Sequence, residues 1–221
     1  MHVNLAFHSR YTSQFQEGTG PYSNGVNTAS CTAGTLASET DGLYLGALNM
    51  FRAFAGLPSV STDSTQDANS QQCALMCQAN NNIQHSWPSS ASCYSTAGNF
   101  SCGSSNLLGG SGTITPADAI ADWVNDMNNI DNPNNLGHRL WCLSPTLGGV
   151  SMGITTNFAS LYVFGTQSAP APGRISNSVN LIPNSKQSLS LCCLASSGGY
   201  SSCCDRKWFQ LAKLPLPLRQ L

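Results

Sequence analysis

Ten cysteines in a chain of 221 residues constrain its folding more than any other feature of the sequence. An even count at this density suits a disulfide framework and is uncommon in a reduced cytosolic domain. A secreted, extracellular protein is therefore expected. The start, Met1-His2-Val3-Asn4-Leu5, has neither a charged opening nor a long apolar stretch. No signal peptide is visible in it, and the precursor's leader is expected to lie upstream of this chain. Asn99-Phe100-Ser101 is an N-glycosylation sequon, which points weakly the same way.

The cysteine spacing suggests pairings. Cys93 and Cys102 flank a short polar loop that contains Gly98, and they are expected to bond to each other. Cys142 is expected to meet Cys73 or Cys77. Cys31 is expected to pin a polar N-terminal arm. Cys73 and Cys77 have a zinc-ligand spacing. They read better as small buried residues on the core face of a helix, one or both disulfide-bonded. The Cys192-Cys193 and Cys203-Cys204 pairs are assigned no function.

Charged residues make up only 9% of the chain, with a formal net charge of -1. A basic footprint for nucleic acid is missing, and so is a polybasic membrane patch. The longest apolar runs, such as Leu161-Tyr162-Val163-Phe164, are far too short to cross a bilayer.

Residues 1–37 read as an extended polar arm. A helix is expected from about Asp41 to Ala55, with Tyr44, Leu45, Leu48, Phe51 and Ala55 on its apolar side and Gly56 and Pro58 as its stop. A second begins near Ser64 or Thr65 and runs to about Asn80, with Ala68, Cys73, Met76 and Cys77 inward. Residues 81–114 read as loop. A third helix opens at Thr115-Pro116, buries Ile120, Trp123, Val124 and Met127, and ends at Pro133. Val150–Thr156 and Ala159–Phe164 read as strands joined by a tight turn. Helices first and strands last predict an α+β fold with a mainly antiparallel sheet. From 167 to 221 the chain reads as a Pro-, Ser- and Cys-rich tail without a packed domain. The part after about Leu191 reads equally as a wrong-frame or intron-derived translation.

Several ordered segments resemble the CAP superfamily, also called SCP-like, of cysteine-rich secretory proteins, antigen 5 proteins and pathogenesis-related proteins. Leu48-Asn49-Met50-Phe51-Arg52 with Ala55-Gly56-Leu57-Pro58 resembles the family's opening helix and its exit. Gly103-Ser104-Ser105-Asn106-Leu107 is similar to its Gly-Glu-Asn-Leu segment, and Trp123-Val124-Asn125-Asp126 to its Trp-x-x-Glu segment. Gly137-His138-Arg139-Leu140-Trp141, ending in Leu143-Ser144-Pro145, resembles its Gly-His block. The similarity is closer to the bacterial and protist branch than to the plant or venom proteins. It implies a three-layer α-β-α sandwich over residues 38–166.

The resemblance also implies a cleft of two histidines and two acids, carried here by His85, Ser105, Asp126 and His138. Asp126 has a shorter reach than the usual Glu, and Ser105 lacks a carboxylate altogether. His85, Asp126 and His138 remain a chemically sensible set for a divalent metal such as zinc. Taken alone, a histidine is more often a hydrogen-bonded structural residue, and Asp126 could simply solvate its helix. Asp126 is expected to point into the cleft only partly buried, with Ser105 at the rim. Metal affinity should be weaker than with both acids present, and should fall on acidification because a protonated imidazole cannot ligate.

Ser105 is not read as a nucleophile, since it lacks a strand-turn-helix elbow. The resemblance implies a binding module for a sterol or other small hydrophobic ligand, a cell-wall glycan or a protein partner. The alternative is a metal-assisted peptide hydrolase using His85, Asp126 and His138. That reading is handicapped, because only Asp126 could serve as general base.

Overall fold

The computed structural model describes residues 9–127, 129 and 136–165. Helices α1 (Thr40–Phe54), α2 (Asp67–Asn80), α3 (Thr96–Gly103), α4 (Pro116–Asn125) and α5 (Gly137–Cys142) surround a four-stranded sheet. Its strands are β3 (Ser61–Thr62), β4 (Ser105–Gly109), β5 (Gly149–Ile154) and β6 (Phe158–Tyr162), in the order β3-β5-β6-β4. The β4–β6 and β5–β6 pairings are antiparallel and β3–β5 is parallel, so the fold is α+β with a mostly antiparallel sheet. In the N-terminal stretch, residues 9–14 are helical and β1 (Ser23–Asn24) pairs antiparallel with β2 (Thr35–Leu36).

The pleat sends alternate residues of β5 and β6 to different partners. Val150, Met152, Ile154, Ala159 and Leu161 join the cluster that holds Tyr44 and Leu48 of α1 and Ile120 and Trp123 of α4. Trp123 is 1% exposed, and its Nε1 donates to the Leu107 carbonyl at 3.1 Å. The intervening residues are small and meet α2. Ser151 Oγ donates to Asp67 Oδ1, and Ser160 Oγ donates to the Ser70 carbonyl. Gly153 passes so close to α2 that a Cβ there would stand 1.9 Å from the Ser70 carbonyl oxygen. Gln71 completes this contact: its Nε2 donates to the Ala33 and Ile154 carbonyls, and its Oε1 accepts the Ile154 N–H.

Arg52 is a buried cation held by backbone carbonyls. Its Nε donates to Pro58 O, Nη1 to Cys142 O and Ser144 O, and Nη2 to Leu147 O. The guanidinium thereby fastens α1 to the chain between α5 and β5. Four acceptor carbonyls take up four of its five N–H donors, which burial would otherwise leave costly. Burial lowers its pKa from the ordinary arginine value.

The three anticipated helices and two strands form, within a few residues of their expected limits except at the end of the third helix. Ala55 and Ala68 are exposed, and the inner side of α2 is carried by Ser70, Cys73, Ala74, Met76 and Cys77. The third expected helix, α4, stops at Asn125, because Asp126 adopts a left-handed conformation at φ 53° and ends it. Met127 therefore falls off the apolar face and is 68% exposed. The stretch read as loop contains α3 and β4. Ser95 caps α3 by accepting the Gly98 N–H, and Gly98 lets α3 approach Met76 and Gln72 of α2.

The disulfides also differ from expectation. Cys93 bonds Cys31 and Cys102 bonds Cys73. Helix α3 forms between Cys93 and Cys102 where a loop was expected, and it carries Cys102 against α2, where it meets Cys73. Cys31 does pin the N-terminal stretch. Cys142 is a buried free thiol and bonds neither Cys73 nor Cys77. It packs with the α1 and α4 cluster, whereas Cys73 and Cys77 belong to the α2 and α3 cluster.

Candidate functional site: a two-histidine cleft

A cleft of about 280 Å³ opens where β4, α5 and the chain after α2 meet. His85, Ser105, Asn106, His138, Trp141 and Phe164 are among its lining residues. His85 follows the left-handed Asn81 that ends α2, and it is exposed. Its Nδ1 lies 2.8 Å from the Cys102 carbonyl. A carbonyl only accepts, so Nδ1 carries the hydrogen, and in the neutral ring Nε2 is the basic nitrogen.

The same logic applies to His138, at the second residue of α5. Its Nδ1 lies 2.9 Å from Asp126 Oδ1, and a carboxylate likewise only accepts. Nε2 is again the basic nitrogen. Histidine ligands to metals commonly have their second nitrogen held in this way.

Asp126 is buried, against the expectation of partial exposure. Its left-handed backbone turns the chain at the end of α4 and leaves its carboxylate facing the Gly-His block. Oδ1 also accepts from Asn129 Nδ2, and Oδ2 accepts the Arg139 N–H. Arg139 donates through its side chain to the Val124 and Asn125 carbonyls, placing a cation on the negative end of α4. Asp126 thus orients His138 rather than facing the opening, and it is not among the residues that line the cleft. Ser105 does line it, but as a buried residue of β4 rather than at the rim, and its Oγ donates to the Ser101 carbonyl at 2.7 Å.

Among the described residues, His85, Asp126 and His138 do not form a three-ligand group. The group whose ligand atoms gather within 4.8 Å of one another is Cys73, Cys77 and Cys102. Asn99 lies within α3, half-buried, with its Oδ1 accepting the Trp87 N–H, and the sequon's Ser101 is buried. No helix of the described residues is long and apolar enough to cross a membrane.

Sequence reasoning missed the joints and the wall of the site. Asn106 Nδ2 donates to the His138 carbonyl and to Cys142 Sγ, tying β4 to α5. Burial pushes the Cys142 thiol up to about 12. Trp141 and Phe164 stand with ring centroids 4.4 Å apart and remain substantially exposed. A tryptophan three residues after His138 was legible as part of a motif, but its meeting with Phe164 depends on the fold.

The segments that resemble one family therefore meet at one place. Trp123 reaches Leu107, Asp126 reaches His138, and Asn106 reaches the same block. Comparison with curated proteins and with solved structures finds no match. Residues 45–168 match the cysteine-rich secretory protein family model, and since that span is more than half of the chain, the protein belongs to the CAP family.

Proposed function

We propose that this chain is a secreted binding module, a three-layer α-β-α domain over residues 38–166 whose cleft holds a divalent metal such as zinc through His85 and His138. Residues 1–37 precede that domain as an arm; its first eight residues, and the stretch 167–221 read as a tail with its Cys-Cys pairs, lie outside the described residues. The observation that carries this reading is that both imidazoles line one cleft with Nδ1 committed to a protein acceptor. A bound cation would supply a Lewis-acidic centre for an anionic or oxygen-rich ligand. Asp126 holds the His138 ring at Nδ1 and sets its tautomer. Two disulfides among the described residues support the extracellular assignment.

The cleft is at the small end of the usual range for ligand sites. Its size and the Trp141–Phe164 wall suit one sugar ring of a glycan or one side chain of a protein partner better than a whole sterol. Binding is favoured over peptide hydrolysis because Asp126, the only candidate base in the expected set, already accepts from His138, Asn129 and Arg139. Zinc titration by calorimetry tests the proposal. His85→Ala and His138→Ala should each abolish binding, and Asp126→Asn should weaken it by about 10- to 100-fold. Affinity unchanged by His138→Ala would refute the metal assignment.

A further inference from the structure

Cys77 belongs to neither disulfide and lies outside the cleft lining. It stands one helical turn after Cys73 on α2, and the contacts of α2 with α3 place both near Cys102. The three sulfurs lie within 4.8 Å of one another, in a buried cluster with Met76, Trp87, Leu107 and Phe158. The backbone carbonyl of Cys102 is the acceptor for His85 Nδ1.

We propose that Cys77 is a second disulfide partner for Cys102, so that the α2–α3 bridge has two registers one helical turn apart, and that the register reaches His85 through the Cys102 carbonyl. In the exchange, the Cys77 thiol gives up its proton and its thiolate sulfur attacks Cys102 Sγ. The Cys77–Cys102 bond forms as the Cys73–Cys102 bond breaks. The electron pair leaves on Cys73 Sγ, which takes up a proton. One disulfide and one thiol stand on each side, so no oxidant or reductant enters. Burial raises the Cys77 thiol to about 12, which keeps the attacking thiolate scarce and the exchange slow.

The test uses the oxidised full-length chain, incubated in native buffer, quenched with acid, alkylated in denaturant and mapped without reduction. Cys102 should stay bonded throughout, with the alkyl label divided between a major Cys77 fraction and a minor Cys73 fraction that grows with time. Cys77→Ala should abolish the Cys73 label, and Cys142→Ala should leave it unchanged. Cys73 that stays fully bonded throughout overturns the exchange, as does a Cys73–Cys77 bridge with Cys102 free. The coupling is read separately in Cys73→Ala, which should form the Cys77–Cys102 bridge and shift the His85 ring resonances while those of His138 stay in place. An unmoved His85 signal in that bridged variant overturns the coupling. The wild-type mapping decides the exchange even if Cys73→Ala does not fold.

Discussion

The two faces of the central sheet are held by different physics. Towards α1 and α4, large side chains such as Tyr44, Leu48, Trp123, Met152 and Leu161 fill a volume. Towards α2, Ser70, Gly153 and Ser160 let backbones approach, and hydrogen bonds hold them there, with a disulfide fastening α2 in turn to α3. The first face stabilises by apolar area removed from water and can relax around small changes. The second depends on clearance and has little room to adjust. The same total stability can thus rest on a face that is sensitive to loss of volume and on another that is sensitive to its gain.

The sharpest way to break this contrast is Gly153→Ala. The added Cβ would meet the Ser70 carbonyl oxygen and carbon and the Gln71 nitrogen, all backbone atoms. We expect a loss upward of about 4 kcal/mol, or no folded protein, in a urea melt. A loss below about 1 kcal/mol would show that α2 can move away from the sheet.

Trp123→Ala probes the opposite face. It removes the largest fully buried side chain and its bond to Leu107, and should cost about 3–5 kcal/mol. Replacing Cys73 and Cys102 together by Ala removes a bridge across a sequence separation of 29 residues, worth about 3–4 kcal/mol by loop closure. If the α2 face is held as described, that loss should appear with Trp123 still buried by fluorescence.

The smallest effect concerns charge on the apolar side. Burial, reinforced by Asp118, raises Asp122 from 3.8 to about 6. The native state therefore holds this proton more tightly than the unfolded chain does between those values. Stability is fully retained below about 4 and is lost as pH rises through 6. Asp122→Asn should remove this decline, giving a gain of about 1 kcal/mol at pH 8, after discounting for the group's partial exposure, and almost none at pH 4. Parallel pH–stability curves for the two proteins would contradict the assignment.

The difference between the faces also explains what could be read from the chain before its fold. Tyr44, Leu48, Ile120 and Trp123 recur at helical spacing, so the face built on volume was legible. The face built on clearance has no such pattern. Gly98 and Gly103 lower the helix propensity of α3, which is held by its Ser95 cap, by its packing on α2 and by the Cys73–Cys102 bridge. Cysteine spacing suggested Cys93 with Cys102 because the helix between them went unseen. In the site, His85, Ser105, Asp126 and His138 were legible as motif residues. The left-handed turn at Asp126, which buries its carboxylate behind His138, carries no local sequence signal strong enough to predict it.

The four carbonyls gathered by Arg52 have a consequence for synthesis. Three of them lie 90, 92 and 95 residues further along the chain. At about 5–20 residues per second, a ribosome takes on the order of 5–20 seconds to supply them. Until then the nascent α1 has a guanidinium with one of its four acceptors, the Pro58 carbonyl, and an apolar stripe without β5 to cover it. The N-terminal half of the domain must therefore wait in solvent for the C-terminal half, and chaperone occupancy during translation should peak before Leu147 emerges.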